Sequence, residues 1–174
     1  GRVVSDYFGE SFSSRLNEVI RVQKGLTYGA RGGFNSDRWS GRFEVNTFSK
    51  TETTAAAVQA ALDEIARLRT EAPTDAELRD TKSAFRGRLA LQRETPQQIA
   101  DELWRAHLFG LPDDHVERTL AAAERVTPDD CLRFARQRLD PERLVVVVVG
   151  DAKRLKADLD KIAPVTVITR NEKE

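Results

Sequence analysis

The chain has 174 residues, and its 28 lysines and arginines are balanced by 28 aspartates and glutamates, so the formal net charge is zero. That length suits a single domain with a sizeable core, and the even charge lacks the basic excess or stripe that nucleic acid or an anionic membrane surface demands. One cysteine, Cys131, excludes an internal disulfide framework and a cysteine-rich metal site, and the longest apolar run, Leu144–Val149, is too short to cross a bilayer.

Val3-Val4 and Tyr7-Phe8 form a short apolar helical stretch that stops at Gly9, like a helix end arriving from upstream. No methionine occurs, position 1 included, so the sequence reads as trimmed, processed or excised from something longer. Ser13-Ser14 can cap a helix through Leu16, Val19 and Ile20, with Arg21 and Lys24 near its negative end. Gly25 supplies the left-handed residue that commonly ends a helix. Leu26–Phe34 and Gly41–Phe48 then form two β-like runs around the polar turn Asn35-Ser36-Asp37-Arg38. Tyr28, Ala30, Gly32 and Phe34 share one face of the first run, and Phe43, Val45 and Thr47 share one face of the second.

From Thr51 onward the pattern is helical. Ala55, Val58, Leu62, Ile65 and Leu68 make one apolar stripe that ends near Pro73. Thr74 with Glu77 is a capping box for a second long helix bearing Leu78, Phe85 and Leu89. Thr95-Pro96 with Gln98 opens a third, carrying Ile99, Leu103 and Ala106 and stopping near Gly110. Pro112-Asp113-Asp114 and Thr127-Pro128-Asp129-Asp130 open two more. Their lengths and spacings keep no fixed period, which excludes a solenoid. Cys131 falls on an apolar helical pattern with Leu132 and Ala135 and is expected as a small buried hydrophobe; Trp104 is expected to pack between helices.

Leu144 with the unbroken valines Val145–Val149 has the pattern of a central strand buried on both faces. A short helix with Leu155, Leu159 and Ile162 follows, then an edge strand over Val165–Ile168 and a frayed charged tail, 170–174. The whole predicts an α+β domain over residues 1–169, in which a mixed or antiparallel sheet is covered on one face by a block of helices.

Gly9–Leu16, Arg21 and Lys24–Ala30 together resemble the insulinase/pitrilysin (peptidase M16) group of zinc metallopeptidases, in particular its second, non-zinc-binding domain. The likeness continues in order through Thr74–Leu78, Gly110–Asp114, Val126–Asp130 and Leu144–Asp151. The family's domain begins with strands and a helix that are absent before Gly9, so the resemblance implies the later part of a family unit, truncated at its N-terminus. Catalysis in the family rests on an inverted zinc motif, H-x-x-E-H, on a helix of the first domain. Here the only histidines, His107 and His115, are separated by a helix-breaking segment. His107 is expected partly buried under a helix and His115 facing solvent. No metal is expected in this chain; the resemblance places zinc in a partner domain or subunit of the same family.

By the same resemblance, Arg21 and Tyr28 match the arginine and tyrosine that the second domain projects toward the zinc site. There they would bind peptide and stabilise the tetrahedral intermediate. Read without the family, the same two residues are a helix-end arginine and a core tyrosine. Phe34 and Phe43 are candidates for a substrate wall or for core packing, and Trp39 beside Arg38 is a candidate peptide contact. The implied function is the non-zinc half of a bacterial-style peptidase, inactive alone, with peptide as substrate and neither nucleic acid nor membrane as partner. The rival is a scaffold or peptide-binding subunit of the same fold. Exported relatives incline the expected compartment to the periplasm over the cytoplasm.

Overall fold

The computed structural model describes residues 1–36 and 41–169. Helix α1 (Arg2–Ser5) runs directly into a π-helical turn, Asp6–Glu10, and α2 (Arg15–Asn17) runs into a second, Glu18–Gln23. The hairpin strands β1 (Ala30–Ser36) and β2 (Gly41–Thr47) pair antiparallel, with Gly32 opposite Val45 and Phe34 opposite Phe43. Six helices follow: α3 (Thr54–Thr70), α4 (Asp75–Leu91), α5 (Pro96–Phe109), α6 (His115–Glu124), α7 (Pro128–Arg138) and α8 (Ala152–Leu159). The architecture is the expected α+β, helix-rich beside a two-stranded antiparallel sheet.

The N-terminal helical segment and the hairpin lock together through glycine. A Cβ on Gly9 would lie 2.4 Å from the Gly32 carbonyl oxygen and 2.5 Å from its nitrogen, so only glycine lets the helix touch β1 at this point. Alternate residues of a strand direct their N–H groups to the same edge. On the edge of β1 away from β2, the Phe34 N–H donates to Ser5 Oγ (2.8 Å) and the Ala30 N–H donates to Asn17 Oδ1 (2.9 Å). Two helices thus close an edge that would otherwise present unsatisfied donors.

Beneath the hairpin lie Phe8, Leu16 and Ile20, all fully buried. The Phe43 ring packs on Phe8 (5.3 Å) and on Phe34 (4.9 Å), and Phe34 meets Phe134 of α7 edge-on at 4.9 Å. Buried Arg15 ties α2 to the start of α4. Its Nε donates to Glu77 Oε1 (2.7 Å), and its Nη2 donates to Glu77 Oε2 (3.0 Å) and the Ala72 carbonyl (3.1 Å). Glu77 Oε2 also accepts from the Thr74 N–H at 2.7 Å, so one carboxylate both caps α4 and clamps Arg15.

The C-terminal part departs from expectation. Residues 144–149 and 165–168 form no strand and pair with none among the described residues. The side chains of Val145, Val147 and Val149 are 86%, 80% and 96% exposed, so the central strand buried on both faces is not formed. A strand's burial belongs to what covers it, and nothing described here covers this one. Likewise α5 turns Ile99, Leu103 and Trp104 outward, Trp104 at 63% exposure, and buries only Ala106; the expected interhelical packing of Trp104 is absent. His107 is exposed and His115 half-buried, the reverse of the expectation for each. Cys131 is fully buried as expected, and burial pushes its thiol up to about 11. The first strand also begins later than its apolar pattern suggests, because Thr27 Oγ1 accepts from the Gly29 N–H (3.1 Å) and holds 27–29 in a turn.

Candidate functional site

Arg21 sits in the π-helical end of α2, and Tyr28 in the turn before β1. Between them Gly25, at φ +60°, turns the chain, with the Leu26 N–H bonded to the Ile20 carbonyl (2.9 Å). The Tyr28 turn is braced on both sides: Thr27 holds Gly29, and Thr47 Oγ1 at the end of β2 donates to the Gly29 carbonyl (3.1 Å). Tyr28 itself is 84% exposed, so it is not a core tyrosine. π-Helical turns are rare and recur at functional sites; here one carries Arg21 and the other ends at Glu10.

These elements enclose an open cavity of about 460 Å³, lined by Phe12, Arg21, Tyr28, Arg31, Asn46 and Phe48 among others. Arg21 and Tyr28, singled out from the sequence, line the same cavity. The Arg21 guanidinium lies over the Phe12 ring, 4.2 Å from its centre, a cation–π contact that fixes where the cation points. Phe34 and Phe43 do not line the cavity; their rings go to the aromatic cluster under the hairpin. Trp39 lies outside the described residues.

Phe12, Arg31, Asn46 and Phe48 were not anticipated. Phe12 stands inside the motif that carried the resemblance, directly before Ser13-Ser14. Arg31 breaks the Ala30–Gly32–Phe34 face by alternation, and Asn46 is its partner in register. Those were the available signals, but joining Phe12, Arg31 and Phe48 needs the tertiary structure.

At the cavity rim, burial and the neighbouring Asp6 push the Glu10 carboxyl up from its ordinary value. Asp6 is itself buried and receives Arg88 Nη2 at 2.5 Å. Among the described residues no three His, Cys, Asp or Glu side chains converge as a metal site. His115 Nδ1 is engaged with the Pro112 carbonyl (3.2 Å). The donors at the cavity, two guanidiniums, a phenol and two amides, suit an anion or a peptide carbonyl, not a metal ion. No helix among the described residues is long and apolar enough to cross a membrane.

The fold is shared with solved structures. The peptidase M16 inactive domain from Pseudomonas fluorescens superposes with a TM-score of 0.74 at 22% identity, over 82% of this chain and 34% of that one. A conserved protein from Enterococcus faecalis V583 matches at TM-score 0.68 and 18% identity, over 79% of this chain and 32% of its own. A protease from Helicobacter pylori matches at TM-score 0.68 and 18% identity, over 78% and 32%. The chain thus spans about a third of the length of each. No curated protein matches. Residues 1–85 match the family described as Peptidase M16 inactive domain. The resemblance drawn from Gly9–Ala30 is confirmed.

Proposed function

We propose that this chain serves in the non-zinc half of an M16-type peptidase, facing a zinc-bearing domain or subunit of the same family across a substrate chamber. The observation that carries this reading is the single cavity lined by both Arg21 and Tyr28, with Tyr28 exposed and Arg21 held over Phe12. Peptide hydrolysis passes through a tetrahedral intermediate whose former carbonyl oxygen is negative. A donor already aimed at that oxygen lowers the barrier by a few kcal/mol. In this proposal the Tyr28 phenol donates to that oxygen, and Arg21 binds a neighbouring peptide carbonyl and orients the chain. The metal and the activated water belong to the partner, and this chain is inactive alone.

The test is peptide hydrolysis by the parent protein assembled with its zinc-bearing partner. Tyr28→Phe and Arg21→Ala should each lower turnover by about 100-fold, with thermal melting unchanged. Wild-type turnover in both variants would sink the reading and favour a scaffold of the same fold.

A further inference from the structure

The cavity has a charge character that hydrolysis of a neutral peptide bond does not require. Two guanidiniums line it, from Arg21 and Arg31, and among the described residues neither belongs to an ion pair. Two neighbouring carboxylates, Glu44 and Glu18, are engaged by other side chains. Glu44, on β2 beyond Asn46, is held by Arg42 Nε (2.6 Å) and Asn46 Nδ2 (2.8 Å). Glu18, one turn before Arg21, accepts from Gln23 Nε2 (3.3 Å). Glu10 lines the cavity, but its Oε1 lies 3.0 Å from where a Gly33 Cβ would stand, back against β1 and beside Asp6, where its negative charge is disfavoured. Arg21 is committed to the Phe12 ring, whereas Arg31 stands exposed on β1 opposite Asn46. Around these cations Phe12 and Phe48 are 75% and 64% exposed, large apolar surfaces with no core to join.

We infer that Arg31 is a specificity-determining residue, and that this cavity selects peptides in which an acidic side chain adjoins a bulky apolar one. The carboxylate is taken by Arg31 within the positive field of Arg21, and the apolar neighbour lies against Phe12 and Phe48. Charge complementarity carries the assignment: a guanidinium fork matches a carboxylate in geometry as well as in sign. The aromatic rims supply contact area at little conformational cost. The inference rests on the reading of the cavity as a peptide site.

It is tested by fluorescence anisotropy on the parent protein assembled with its zinc-bearing partner, hydrolysis being stopped with a chelator, at low ionic strength. The probes are hexapeptides with a common N-terminal fluorophore, an amidated C-terminus and a central Phe-Glu, Phe-Gln or Phe-Lys pair. The Phe-Glu peptide should bind about 5- to 10-fold more tightly than Phe-Gln. In Arg31→Gln that ratio should drop below about 2-fold while the Phe-Gln affinity holds, and in Arg31→Glu the preference should pass to Phe-Lys. Arg31 is exposed, and all variants should melt like wild type. Equal affinities for Phe-Glu and Phe-Gln, or an undiminished preference in Arg31→Gln, would overturn this inference and leave the peptide-site reading intact. A Phe-Gln peptide with a free C-terminus that binds as tightly as Phe-Glu would overturn the side-chain assignment. Binding of none of the peptides would overturn both readings.

Discussion

Two regions of this molecule read as strands in the sequence, and they end differently. Residues 30–36 are a poor strand former on paper, interrupted by Gly32 and Gly33, yet they pair with 41–47 and have both edges of β1 occupied. Residues 144–149 have the strongest strand composition in the chain, yet they form no strand, and Val145, Val147 and Val149 stand in solvent. The glycines are what allow the first region to be covered, since a side chain at Gly9 would hold the helix off β1. Coverage, not β-propensity, decides which strand is buried.

The largest effect that would break this comparison is at the covered region. Gly9→Ala places a methyl group against the Gly32 backbone and should destabilise by about 3 kcal/mol or more, lowering Tm by roughly 6–12 °C. Gly87→Ala, in the open interior of α4 where nothing lies within 4 Å, should instead raise stability by about 0.5–1 kcal/mol. Equal melting of the two variants would mean that the close approach is not what holds the helix on the sheet.

A middle-sized effect sharpens it through the clamp behind the hairpin. Hydrogen bonds from Arg15 hold the Glu77 carboxyl down at about 2, from an ordinary 4.5. A carboxyl lowered on folding stabilises fully above its unfolded value, and that contribution is lost as pH falls through its folded value. Denaturant unfolding should therefore show stability declining between about pH 5 and pH 2. Glu77→Gln should cost about 2 kcal/mol at neutral pH, because buried Arg15 loses its partner, and should flatten that decline. A variant as acid-sensitive as wild type would place the titrating group elsewhere.

The smallest effect is expected in the uncovered region. Val147→Lys should change stability by less than about 0.5 kcal/mol and raise solubility, since it places a charge on an uncovered apolar segment. A loss above about 2 kcal/mol would show that the segment is covered in solution, and the contrast between the two regions would fall.

What the sequence revealed follows the range of the interactions. The capping boxes at Thr74/Glu77 and Thr95/Gln98, the Ser14 cap, the left-handed Gly25 and the helix stop at Gly110 are all readable, because each is settled within a few residues. The burial expected of residues 144–149 and Trp104 is not found, because an apolar residue's burial is a property of its neighbours in space. The site divides in the same way. Arg21 and Tyr28 are seven residues apart inside one motif and were named together. Phe12, Arg31 and Phe48 come from three separate segments, and no spacing along the chain connects them.

The three contacts Ser5–Phe34, Gly9–Gly32 and Asn17–Ala30 run in opposite directions along the two segments, like teeth of a closed zip. Inserting or deleting one residue anywhere between Ser5 and Asn17, or within 30–34, would leave at least one contact out of step. Chain length can therefore drift in the connections between the later helices, while the stretch that carries Phe12 and leads into Arg21 is bound to a fixed number of residues.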